Sequence, residues 1–458
     1  MTQQIYLGTD FNENVAYLKE KLHLDDNFDM VYRTINVGER RACFCFIDGF
    51  CKDELMQKLL QYFMDMKEDE LAEDAYGWIK KSVPYVEVDL QERWEDIFYF
   101  ILSGVFAIFI DGYDRCILID FRTYPARSVD EPDKDKSLRG SKDGFVETMI
   151  FNTALIRRRI RDRDLRVEIM NVGSISKTDV VLCYMKKKVN QVYLRELKEK
   201  IEKIHVESLS MNQQSLMECL YKKRWINPFP KFRYTERPDT AAAQILEGNI
   251  VILVDNSPQA VITPTYLLDL LEEADDYYFP QITGTYLRIS RILINVLNFF
   301  LLPLFLLLVM NPQWIPDTFS FIQLKDEANL PVVVQILILE FSIDGLRFAA
   351  VNTPNMLSTP LSILAALVLG DLSVDSGWFS PEVMLYMAFV AVASYTQPNY
   401  ELGYAIKFMR IVTLILTALF NVWGFIAGTV IFILLLLCNR TLDGKCYLYP
   451  LIPWNGIS

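Results

Sequence analysis

Three ionisable residues, Glu340, Asp344 and Arg347, stand inside the otherwise apolar stretch 331–351. Spacings of four and three residues place them on one face of a helix. Charge at bilayer depth is costly, so such side chains face a bundle interior or a water-filled path. Two chemistries are open to them. Carboxylates from several assembled copies would form a ring that attracts cations. Alternatively an internal pair, Asp344 with Arg347 or Glu340 with Arg347, ties helices together. Gly370, Asp371 and Asp375 close a shorter apolar stretch, 361–372. A half-helix ending there would form a gate or filter; a plain loop would carry the same aspartates into water.

A second group is basic. The run from Arg139 through Lys142 to Gly144 has the glycines and lysine of a phosphate loop, but it lacks the Walker spacing and no strand leads into it. A helix is expected over 144–161, with Asp143 as its cap. Arg157, Arg158, Arg159 and Arg161 then fall in its last turns, where cations suit the carbonyl end of the dipole. Arg139, Lys142, Arg157, Arg158 and Arg159 are therefore read as subunit or domain contacts. With two histidines, His23 and His205, there is little material for a zinc site or a Ser/His/Asp triad. Cys43, Cys45 and Cys51 alternate as in a strand and are read as buried thiols. No recognisable catalytic set is present, and no cofactor or metal is expected. A net charge of -12 argues against nucleic acid as a partner.

These residues need elements to hold them. Period-two alternation predicts strands over 42–47, 106–110, 166–170, 179–184 and 249–254, with a hairpin closing on Asp111-Gly112 and running back over 115–121. Helical spacing predicts helices over 52–66 and 192–204. The fragments FIDGF, FIDGY and LVDNS raise the question of a repeated strand-turn unit. From residue 289 the composition changes, and apolar stretches at 289–310, 331–351, 381–395 and 406–438 reach or approach the ~20 residues needed to cross a bilayer. The last is too long for one crossing and is interrupted at 421–424. Arg288 and Arg291 sit at the start of the first stretch, and Lys407, Arg410, Arg440 and Lys445 flank the last, so the N-terminal region and a C-terminal tail are expected to face the cytoplasm. The first residues lack a basic region leading into an apolar core, which fits that orientation. The fold class is thus an α/β soluble N-terminal region of two subdomains followed by an α-helical polytopic membrane domain of four to six segments. Divisions are expected at 1–84, 85–284, 285–439 and 440–458.

The stretch 131–184 resembles the signature of the GerA family of spore germination proteins, of the A-subunit type. PFP at 228–230, TERPD at 235–239, VDNSP at 254–258, ADDYY at 274–278, LGD at 369–371, SPE at 380–382 and YEL at 400–402 follow in the family's order. Nutrient-receptor A subunits carry an REAxLRxP-like run in the second span. Here the text from Leu346 to Pro354 reads LRFAAVNTP, which resembles the branch associated with dipicolinate release. The resemblance implies a multi-pass protein of the spore inner membrane that forms a homo-oligomer, with a possible partner membrane subunit, and conducts cations across the lipid bilayer. The rival it leaves open is a nutrient-germinant receptor A subunit working with B and C subunits. A membrane-anchored enzyme is the further alternative, and it would need a cleft with paired titratable groups.

Overall fold

The computed structural model describes residues 5–67, 74–77, 87–123, 140–221, 227–273, 275–325, 329–352 and 370–448. The chain forms two compact units, one of residues 1–223 with 232–264, the other of 224–231 with 265–458.

The first unit holds two five-stranded antiparallel sheets. One has the order β1-β2-β4-β5-β3, built from β1 (Met30–Val37), β2 (Arg40–Ile47), β3 (Val88–Gln91), β4 (Phe106–Ile110) and β5 (Cys116–Ile119). The other has the order β6-β7-β9-β10-β8, from β6 (Leu165–Val172), β7 (Thr178–Met185), β8 (Arg233–Thr235), β9 (Ile250–Val254) and β10 (Ala260–Thr263). Numbered within its own sheet, each set runs first, second, fourth, fifth, third. The helices agree: α1 (Phe11–Leu22), α2 (Asp53–Asp65) and α3 (Trp94–Leu102) interleave with the first set, and α4 (Met149–Arg159), α5 (Gln191–Glu202), α6 (Asn212–Leu220) and α7 (Pro238–Glu247) with the second. The unit of repetition is therefore a whole subdomain. FIDGY follows β4 and LVDNS follows β9, which are equivalent positions, whereas FIDGF follows β2 and belongs to another turn.

A division at 84/85 passes through the first sheet, because β2 pairs with β4 along Cys43↔Phe109. Both faces of that sheet are covered. Cys43, Cys45 and Phe109 pack with α1 and α3, while Phe44, Phe46 and Ile108 pack with α2. Period-two alternation thus separates two cores rather than core from solvent. Burial pushes the Cys43 thiol up to about 11 and the Cys45 thiol higher still, so both are inert apolar fillers.

Helix α4 starts later than the sequence suggests. Its N-cap is Thr148, and Asp143 does not cap it. Asn152 exchanges hydrogen bonds with the Val146 backbone at 2.8 and 2.5 Å, which holds the preceding residues extended. The Asp143 carboxylate instead accepts from Arg159 at 2.7 and 2.6 Å. Burial alone would raise that carboxyl; hydrogen bonds from Arg159 and Ser141 hold it below its ordinary value.

The second unit is helical: α8 (Gln281–Met310), α9 (Val332–Asn352), α10 (Pro381–Tyr395) and α11 (Tyr400–Cys438). By length and composition, α8 and α11 are each able to cross a membrane. Residues 361–369 of the expected half-helix lie outside the described residues; 371–375 form a short helix. Helix α11 reverses on itself at Asn421, whose φ of 52° and ψ of -128° leave the helical region. A Cβ on Gly424 would overlap the Leu416 carbonyl, and one on Gly428 would meet the Thr413 side chain at 2.7 Å. Residues eight and fifteen apart touch only if the chain folds back, since a straight helix would separate them by about 12 and about 22 Å. The two legs, 400–420 and 422–438, are about 31 and about 25 Å long. Leu302 and Leu306 of α8 pack with Leu339 of α9, Met387 of α10 and Leu414 of α11 in one core. The C-terminal segment returns to the start of this unit, where the Leu267 N–H donates to the Tyr447 carbonyl at 3.0 Å.

Candidate functional site

Midway along the helical unit, α9 and α11 face each other with charge. Arg410 donates to Glu340 Oε1 from Nε at 2.9 Å and from Nη2 at 2.5 Å. Lys407 Nζ reaches Glu340 Oε2 at 3.1 Å and Asp344 Oδ2 at 2.6 Å. It also donates to the Glu340 carbonyl at 3.0 Å. From α8, the Asn298 carbonyl accepts from Arg410 Nη1 at 2.9 Å. Arg410 and Glu340 are 1% and 4% exposed. Burial at that level is sustained only because each charge has both a counter-ion and hydrogen bonds.

The sequence brought Glu340 and Asp344 to one face, and the structure keeps them there. It gives them other partners than the expected Arg347. The guanidinium of Arg347 lies over the rings of Tyr395 and Tyr404, at 4.6 and 5.8 Å from their centroids. The counter-ions are Lys407 and Arg410, which sequence reasoning placed among the flanking charges of the last stretch. The available signal was their own spacing: three residues apart in an apolar run, they present a two-cation stripe that matches a two-carboxylate stripe four apart. The side chain of Asp371 lies outside what the structure describes.

A cavity of about 10 Å³ adjoins the cluster, lined by Glu340, Arg347, Met387, Ser394, Lys407 and Arg410. That is room for one water and not for a hydrated ion.

Polar groups continue along α8. Asn295 donates to the Arg291 carbonyl at 2.8 Å and accepts from Gln397. Arg291 in turn donates to Asp276 at 2.7 Å, to Glu273 at 2.8 Å and to the Leu271 carbonyl at 2.8 Å. Arg288 pairs with Glu272 at 3.1 Å. The basic residues read as orientation signals are thus held by the acidic segment that precedes the helix.

The arginines of α4 separate in role. Arg157, with its side chain fully buried, donates to both Asp29 oxygens at 2.9 Å. Asn27 accepts the Val167 N–H at 2.9 Å. These bonds join the two subdomains. Arg159 holds Asp143, whereas Arg158 and Lys142 are exposed. Arg139 lies outside the described residues.

Comparison with known proteins gives concordant matches. Residues 16–457 match the family described as Bacillus/Clostridium GerA spore germination protein. Stage V sporulation protein AF of Bacillus subtilis (strain 168) is 35% identical over 97% of this chain and 90% of its own length. Spore germination protein KA of the same organism is 27% identical over 99% of this chain and 84% of its own. The crystal structure of the N-terminal domain of the A subunit of the Bacillus megaterium spore germinant receptor GerK3 is 27% identical, with a TM-score of 0.44, covering 57% of this chain and 98% of that one.

Proposed function

The chain belongs to the Bacillus/Clostridium GerA spore germination protein family, and we propose that it is a subunit of an oligomeric membrane complex that conducts ions across the spore inner membrane during germination and promotes dipicolinate release. The observation that carries this reading is the Glu340, Asp344, Lys407 and Arg410 cluster, buried halfway along helices that are otherwise apolar. Apolar residues of similar size would hold helices together at no desolvation cost. Charges retained at that depth usually face a bundle interior or a water-filled path, and they mark ion pathways in membrane proteins.

A cavity with room for a single water fits a shut gate. Parting α9 from α11 would uncover Glu340 and Asp344, and repetition of the pair around an oligomer would then offer cations a ring of carboxylates. Both ends of the polar string bear on orientation: Arg288 and Arg291 at the start of α8, and Arg440 just after α11, lie in segments that support a cytoplasmic N-terminal region and tail.

The test is flux through liposomes carrying the full-length protein, alone and with candidate partner subunits. Glu340→Gln with Asp344→Asn should change cation conductance, and spores lacking the protein should release dipicolinate more slowly. Absence of conductance in every combination, together with unaltered release, would sink the proposal. Dependence on B-type and C-type partners would favour a nutrient-receptor role instead, a reading supported by relatives such as spore germination protein KA at 27% identity.

A further inference from the structure

The two subdomains of the first unit, tied by Arg157 and Asp29, leave an open cleft of about 620 Å³. This volume lies in the range of small-molecule sites. One wall is aromatic and belongs to α1 and α3: Tyr17 and Phe98 are 7% and 3% exposed, and Tyr99 is 57% exposed. The facing wall is the loop from Arg161 to Asp164, with Lys187 beside it.

The charges on these walls are not evenly answered. Glu95 lies 3.6 Å from Arg93, and Asp164 lies 2.7 Å from Lys187. Asp162 accepts the Asp164 N–H at 2.7 Å. Lys21 pairs with Glu20 at 2.8 Å. Arg163 lies over the Phe98 ring, 5.0 Å from its centroid, and has no carboxylate partner among the described residues. A guanidinium without a carboxylate partner offers a planar fork of donors that matches carboxylate or phosphate oxygens. Both signs line the cleft, and the His23 imidazole is held below its ordinary 6.5 first by burial and then by Arg166 and Lys186, with Asp26 and Asp164 acting the other way.

We propose that this cleft binds a small organic anion, a carboxylate or phosphate carried on a planar apolar body, with Arg163 as its principal cationic contact. Lys187 and Arg161 flank the anionic group, and Tyr99 covers the apolar body. The site is preformed, because Arg157, Asp29, Asn27 and Val167 fix the subdomains next to it. The proposal stands apart from ion conduction and gives the first unit a ligand of its own.

Full-length protein in detergent is titrated with benzoate, isophthalate and phenyl phosphate, and with benzylammonium as the cationic control, by calorimetry and saturation-transfer NMR. At least one anion is expected to bind saturably and benzylammonium not to. Arg163→Gln with Lys187→Gln should weaken binding at least about tenfold, corresponding to about 1.4 kcal/mol. Tyr99→Ala, at an exposed position, provides a second variant that acts on the apolar body alone and should weaken the three aromatic anions while leaving the fold intact. The proposal is overturned if none of the three anions binds up to about 10 mM, a limit set by the weakest affinities of interest. It is equally overturned if benzylammonium binds as well as they do, or if properly folded variants bind unchanged.

Discussion

Asn311 and Asn421 exchange side-chain amide hydrogen bonds, 2.7 Å in one direction and 3.2 Å in the other. The first sits at the end of α8 and the second at the reversal of α11, so the reciprocal pair locks one end of the hairpin to the longest uninterrupted helix. Asn421 also has the positive φ that asparagine tolerates better than most residues. One side chain therefore serves both the turn and its anchorage.

The hairpin depends on two glycines in different ways. Gly424→Ala places a methyl against backbone at Leu416, whereas Gly428→Ala meets chiefly the Thr413 side chain. Both should lower the thermal midpoint of the detergent-solubilised protein. Adding Thr413→Ala should restore more of the loss at 428 than at 424. Equal rescue at both positions would contradict the close approach of the two legs.

Glu340 matters more than Asp344 for stability. Its side chain is 5% exposed and answers two cations, while that of Asp344 is 22% exposed and answers one. Glu340→Gln leaves Arg410 buried without a counter-ion, at a cost of roughly 3–5 kcal/mol. Asp344→Asn should cost clearly less. Melting of the two variants in the same detergent checks the order, and a larger loss for Asp344→Asn would refute it.

The seam between subdomains is tested by Arg157→Met. It strands Asp29 in a buried site and should destabilise the first unit by roughly 3–5 kcal/mol. The double variant with Asp29→Leu should recover much of that, giving a coupling energy well above additivity. Limited proteolysis of the full chain across a urea series reads out the result; additive losses would mean the pair is not coupled.

His23 predicts a pH dependence. Its imidazole is held below 6.5, first by burial and then by Arg166 and Lys186. The folded state therefore binds fewer protons than the unfolded state just below that pH, so this contribution is full above 6.5 and is lost as pH falls through the lowered value. His23→Asn, which keeps the left-handed cap of α1, should flatten the fall in midpoint across that window. A steeper fall in the variant would reverse the assignment.

What could be read in advance followed from local pattern. Strands β2, β4, β7 and β9 were legible because each is a short apolar run ended by a turn signal, and α2 and α5 because their apolar spacing is helical. Asp143 was misread because a cap is recognised by position, and nothing nearby in sequence announces that Arg159 claims the carboxylate from sixteen residues away. Lys407 and Arg410 were missed for a similar reason: about seventy residues separate them from Glu340, and their own spacing marks a cationic stripe without naming its partner. The duplicated strand order was equally hidden, since equivalent strands share a path and not a text.

The reversal at Asn421 and the Leu267–Tyr447 bond together fix something that hydropathy alone leaves undecided. The final two apolar legs amount to a round trip, so residues 439–448 come to rest beside residues 265–271. Reporters inserted at these two places are expected to sense a common compartment, and opposite readings would contradict the reversal at Asn421. Deleting only the second leg would maroon the new terminus at the far rim.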